Sequence, residues 1–233
     1  MATSTNERLA AGRPPASAIP PLEPGDRLTR EEFERRYQAM PELKKAELIE
    51  GVVYMPSPVR AVNHAEPHGQ LAAWLGCYAA ETSGVGCFDN STVRLDLDNE
   101  PQPDLVLLKR ASPGGQARIS ADDYIEGAPE LVVEIAGSSR AYDLHQKQGA
   151  YRRNGVREYL AWVTGEPRVV WWELRGTEYQ EIAPGPDGLL RSSVFPGLWL
   201  DTAALQRGEI KSVLTVLRRG LDSPEHQAFA RAV

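Results

Sequence analysis

The chain has 233 residues, 42% of them hydrophobic, which suits one domain with a full core plus tails better than two domains. A formal net charge of −6 excludes a general nucleic-acid coat protein, which needs an excess of Lys and Arg, but not an enzyme that meets a few phosphates through a local basic patch and a cation. No apolar run reaches the roughly 18 residues of a membrane span, the start lacks the apolar stretch of a signal peptide, and Cys77 and Cys87 read as free thiols in a reducing compartment, so a cytoplasmic chain is expected.

Residues 1–26 are rich in Ala, Ser and Pro and read as a disordered tail, with the domain over 27–220 and a frayed tail over 221–233. Thr29 and Glu32 form a capping box, with Leu28 and Phe33 as its hydrophobic staple, and open a helix over 30–38 that buries Phe33 and Tyr37. Glu47-Leu-Ile-Glu50-Gly51-Val-Val-Tyr-Met55 reads as a hairpin, ended by Pro56-Ser-Pro58. Leu71, Trp74, Leu75 and Tyr78 repeat at helical spacing and predict a helix over roughly 64–82, capped by Asn63, with Pro67 in its first turn. Residues 92–97 alternate like a half-buried strand, whereas 104–108 and 131–135 are apolar runs suited to central strands covered on both faces. Between these runs, 111–121 reads as a surface loop. A helix over 140–154 ends at Gly155, and strands follow at 158–163, 168–174 and 178–182, the first two joined by Thr164-Gly-Glu-Pro167. A turn at 196–199 leads to helical stretches at 203–205 and 210–219. Strands and helices alternate with hairpins mixed in, which predicts an α/β or α+β sheet with helices on its faces. Neither a G-x-G-x-x-G nor a Walker pattern is present.

Charges within apolar strands are costly to bury unless they meet a partner or a metal. Asp104 opens one apolar strand directly after Pro103, and either ends that strand as a turn residue or works in a site. Glu134 stands between Val133 and Ile135; unless it faces water from an edge strand, its carboxylate needs a cation. Lys147 and Tyr151 are four apart and share a helix face with Asp143, so the plain alternative for Lys147 is an exposed pair with Asp143. Glu47 lies in Ala-Glu-Leu-Ile as a further acid or a solvent-facing strand residue, and Glu50 reads as a turn residue. His64 and His68, four apart at a helix start, are expected to do surface or capping work rather than bind metal. Together Asp104 and Glu134 suit Mg²⁺ or Mn²⁺, which prefer carboxylate oxygens and water. Lys147 would orient a water or offset developing negative charge, and Glu47 would complete the shell. The expected chemistry is cleavage of a phosphodiester.

These pieces resemble the PD-(D/E)XK nuclease superfamily, and more closely the restriction endonuclease family called Uma-two. The matching residues are Glu47-Leu-Ile-Glu-Gly-Val-Val, Ser57-Pro58 with His64, Gln102-Pro-Asp104-Leu-Val, Gly127-Ala-Pro-Glu-Leu-Val-Val-Glu134-Ile, Lys147-x-x-x-Tyr151, Gly155-Val-Arg-Glu158-Tyr159 and Pro196-Gly-Leu198. The resemblance covers roughly residues 28 to 210. It implies a restriction-endonuclease-like central mixed sheet flanked by helices, Asp104 and Glu134 as the metal pair, and Glu47 as the upstream acid. Two departures stand out. Position 136 is Ala where the superfamily places a lysine, so that Lys147 from a helix takes its role, and Ala136-Gly-Ser-Ser139 replaces the more usual Ser-Pro pair.

The expected function is therefore a metal-dependent endonuclease acting on DNA. Two cuts in a duplex need two sites, which a homodimer would supply. The alternative is a catalytically silent nuclease-fold protein that serves as a DNA- or protein-binding module. A third reading, a metal-free hydrolase using two carboxylates, predicts activity that survives EDTA and expects aromatic residues beside the acids, which are lacking.

Overall fold

In this computed structural model the described residues are 19–55, 60–110, 115–137, 141–164 and 168–233, the side chains of 141–143 excepted. Most of the expected tail (residues 1–18), Pro56-Ser-Pro58, part of the 111–121 loop, Ser138-Ser139, the Gly165–Pro167 turn and the Asp143 carboxylate therefore lie outside the described residues.

The first unit is α1 (Arg30–Gln38) with the hairpin β1 (Glu47–Ile49) and β2 (Val52–Tyr54). Thr29 Oγ1 accepts from Glu32 N, while the Glu32 carboxylate turns to Arg35 and Arg36 instead of returning to the cap. Glu50 and Gly51 both have positive φ, 54° and 71°, as the tight two-residue turn requires. Leu22, Phe33, Ala46, Leu48 and Val53 form a small core here, so Leu22 packs although it falls in the expected tail.

A π turn (Ala61–Ala65), in place of an Asn63 cap, leads into α2 (Glu66–Ala80). The chain then runs through β3 (Val85–Asp89), β4 (Val93–Arg94), β5 (Leu105–Lys109), β6 (Arg118–Ile119), β7 (Ile125–Glu126), β8 (Leu131–Ala136), α3 (Ala141–Arg153), β9 (Glu158–Val163), β10 (Arg168–Arg175) and β11 (Glu178–Glu181). The last elements are β12 (Leu190–Arg191), β13 (Trp199–Leu200), α4 (Thr202–Gln206), α5 (Ile210–Leu221) and α6 (Pro224–Ala230). The strand expected over 92–97 stops at Arg94. The Asp96 carboxylate accepts from Asp98 N and Asn99 Nδ2, and this local bond turns the chain.

The central sheet is mixed, in the order β11-β10-β9-β8-β5-β3. Within this sheet, among the described residues, β8 and β9 alone pair in parallel; α3 makes the crossover that a parallel pair needs. One face packs Leu105, Leu107, Leu131, Val133 and Ile135 against Trp74 and Tyr78 of α2 and Val213 and Leu217 of α5. The other places Val106, Leu108 and Val132 beneath Tyr151 of α3. Trp171 and Trp172 divide between the two faces, Trp171 edge-on to Trp74 and Trp172 stacked on Tyr159.

Residues 221–233, expected to fray, instead carry α6. Ser223 caps it, and the buried His226 ring lies 2.8 Å from Leu221 O and 2.9 Å from Thr82 Oγ1. Among the described residues no helix is long and apolar enough to cross a membrane, and both cysteines are free.

Candidate active site

The antiparallel register of β5 and β8 pairs Leu105 with Val133; one step further, Asp104 stands across from Glu134. Side chains alternate along a strand, so both acids share the face of Val106 and Val132, beneath α3. Each is about 5% exposed. Ile135 N donates to Asp104 Oδ2 at 2.7 Å, which fixes that carboxylate against the neighbouring strand.

Helix α3 crosses this face and presents Lys147 and Tyr151 one turn apart. Lys147 Nζ lies 3.0 Å from Glu134 Oε1 and 2.8 Å from Glu47 Oε1, so a single ammonium joins β8 to the hairpin. Tyr151 O–H donates to the same Glu134 oxygen at 2.7 Å. Glu47 Oε1 also accepts from Gln102 N at 2.7 Å, two residues ahead of Asp104.

Three carboxylates around one ammonium set the electrostatics. Burial pushes Glu134 above the usual carboxylate range; the charges of Asp104 and Glu47 push the same way, and Lys147 opposes them. Burial acts on Asp104 in the same direction, but the bonds from His64 and Ile135 N outweigh it and hold Asp104 below the usual carboxylate range. Burial alone would lower Lys147, yet Glu134 and Glu47 hold it above the ordinary lysine value. Tyr151 rises well above the ordinary phenol value, from burial first and the two acids second, so it remains a hydrogen-bond donor.

Glu47, Glu134 and Lys147 thus meet directly, with Asp104 beside them. Lys147 finds its partners in acids 13 and 100 residues away in sequence. Glu50 is a turn residue, paired with Arg153. The histidines, expected to do surface work, come closer than that. His64 Nε2 is 3.3 Å from Asp104 Oδ1, and His68 Nε2 is 3.0 Å from Asp89 Oδ1. Their rings stack with centroids 6.1 Å apart, so the four-residue spacing was the available signal. Glu158 lies elsewhere: it pairs with Leu131 at the opposite end of β8 and has no part in this cluster.

Among the described residues no three His, Cys, Asp or Glu side chains close on one point as a ready-made metal cage. The donor set is oxygen from two facing carboxylates. That suits an ion such as Mg²⁺, which keeps several waters and takes only one or two carboxylates from a protein.

Sheet and cluster together define a mixed sheet flanked by helices with an acid–lysine centre on one face. The chain belongs to the Uma2 family, described as "Putative restriction endonuclease", which matches residues 30–203. No curated protein matches it. Among solved structures, a putative nuclease belonging to DUF820 from Anabaena variabilis is similar with a TM-score of 0.51 at 15% identity, over 78% of this chain and 97% of that one. At that identity the likeness speaks for the fold, a mixed sheet flanked by helices.

Proposed function

We propose that this chain is a divalent-metal-dependent endonuclease that hydrolyses DNA phosphodiester bonds. Family membership supports nuclease activity and a nucleic-acid substrate. The observation that carries the finer reading is the lysine from α3 seated between Glu47 and Glu134, beside Asp104 on the same sheet face.

In this reading Asp104 and Glu134 hold Mg²⁺ or Mn²⁺, with Glu47 at the edge of the shell. Bound there, the ion would polarise a phosphoryl oxygen and lower the pKa of a nearby water. The chain's own residues supply the rest. Ile135 N–H and the Tyr151 hydroxyl fix one oxygen each of Asp104 and Glu134, so the pair is positioned before any ion arrives. The Lys147 ammonium has three N–H bonds, and two point to Glu134 and Glu47. The third has no partner among the described residues and in this reading orients the attacking water or offsets charge on the phosphoryl oxygens.

The test is cleavage of supercoiled plasmid with Mg²⁺, Mn²⁺ or EDTA, by wild type and Asp104→Asn. Nicking or linearisation is expected only for wild type with metal. Cutting that survives EDTA, or that Asp104→Asn retains, removes this mechanism.

A further inference from the structure

We propose that Lys45 holds a backbone phosphate of the DNA strand at this site, a role separate from that of Lys147; this deepens the nuclease reading and rests on it. The centre sets three carboxylates against one buried ammonium, a field that repels an incoming phosphodiester. Lys147 cannot correct this at the surface, because its side chain is 12% exposed and is held by two of those acids.

Lys45 is placed to do so. It stands two residues before Glu47, the first residue of β1. Its Nζ is 3.4 Å from Asn90 Oδ1, a long contact with a neutral group. Asn90 N in turn donates to Asp104 O at 3.1 Å, so the lysine tip stands at the strand end that carries the acid. Among the described residues Lys45 forms no ion pair. Nearby, His68 Nε2 lies 3.0 Å from the exposed Asp89 carboxylate, and His64 Nε2 lies 3.3 Å from Asp104. Lys45 is thus a half-buried cation beside the acids whose present partner a phosphate oxygen outcompetes.

The experiment titrates a fluorescein-labelled mixed-sequence DNA duplex by anisotropy, without metal, for wild type, Lys45→Ala, Lys45→Gln and Lys45→Arg, at salt from about 50 to 200 mM. Removing the charge is expected to weaken binding roughly tenfold at low salt and to flatten the log–log salt slope by about one, with Arg restoring both. Mg²⁺ binding by calorimetry is expected to be no weaker in Lys45→Ala, since the lost charge repels the ion; a merely structural defect would weaken both. Unchanged affinity and slope in both neutral variants overturn the proposal, and so does a wild type that does not bind the duplex. A wild type that binds but does not cut with Mg²⁺ or Mn²⁺ removes the nuclease reading, while the slope still decides Lys45. Cutting by Lys45→Ala at the wild-type kcat/KM removes Lys45 and leaves the nuclease reading standing.

Discussion

Glu134 and Glu158 are both buried acids on neighbouring strands, and the chain satisfies them in opposite ways. Glu158, fully buried, accepts from Ser192 Oγ at 2.7 Å, Ser193 N at 2.9 Å and Val194 N at 3.2 Å. Burial pushes it up to about 7 even though each of those bonds pulls it down. Glu134 has Lys147 and Tyr151 on one oxygen and a second acid, Asp104, across the strand pair. Neutral dipoles suffice for Glu158, which ties the 192–194 loop to β9 although Glu173 stands across from it on β10. Glu134 instead has an ammonium on its carboxylate, which makes a charged centre. Burial alone therefore does not distinguish Glu134 from Glu158; the charge of the partner does, and the proposed function rests on that difference.

The largest test of that contrast is catalytic. Glu134→Gln is expected to lower plasmid cleavage on the order of 10³-fold, whereas Glu158→Gln stays within about twofold of wild type. Equal losses in the two would erase the distinction. Next, Lys147→Met strands two buried carboxylates and should cost about 3–5 kcal/mol in urea unfolding at pH 8. The cost should shrink as pH falls, because Glu134, held above the usual carboxylate range by burial, takes up a proton; a loss independent of pH would place the effect in packing. Third, saturating Mg²⁺ or Mn²⁺ should raise the melting temperature of wild type by a few degrees, about 2–3 kcal/mol at a hundredfold excess over Kd, and leave Asp104→Ala unmoved. A rise in both proteins would put the ion elsewhere.

The smallest effect belongs to Glu158. Its folded-state value of about 7 lies above the ordinary 4.5, so between those values the folded chain holds a proton that the unfolded chain has released. Stability then declines as pH rises through that window and levels off above it. Glu158→Gln should remove about 1–3 kcal/mol of the decline. Part of the slope should persist toward pH 8, because burial and the neighbouring Glu34 carboxyl raise Glu100 to about 8. A wild-type profile that is flat from pH 5 to 7 counts against this assignment of Glu158.

Local pattern made much of the fold legible. The Glu50-Gly51 turn, the apolar runs of β5 and β8, the α3 helix ending at Gly155, and the i, i+4 pair of Lys147 and Tyr151 all follow from steric rules and periodicity within a few residues. The small sheet of β4, β7 and β6 was not legible, since its strands are two residues long and carry no period. Nor was α6, because what orders it is a contact between His226 and Thr82, 144 residues apart in sequence. For His64 the four-residue spacing from His68 was the one signal, and the approach to Asp104 was not legible because the π turn that carries the ring has no distinct sequence signature.

By itself the sequence determined which side chains are costly to bury, namely Asp104 and Glu134 in apolar strands, and which helix face carries a lysine and a tyrosine. Only the tertiary structure decided what satisfies them. An antiparallel register sets one acid across from the other, a helix crossover brings the ammonium to Glu134, and a hairpin 100 residues upstream supplies Glu47. Desolvation is a property of a residue and its strand, whereas the charge that offsets it can come from anywhere the chain folds back, and short-range pattern carries no record of that return.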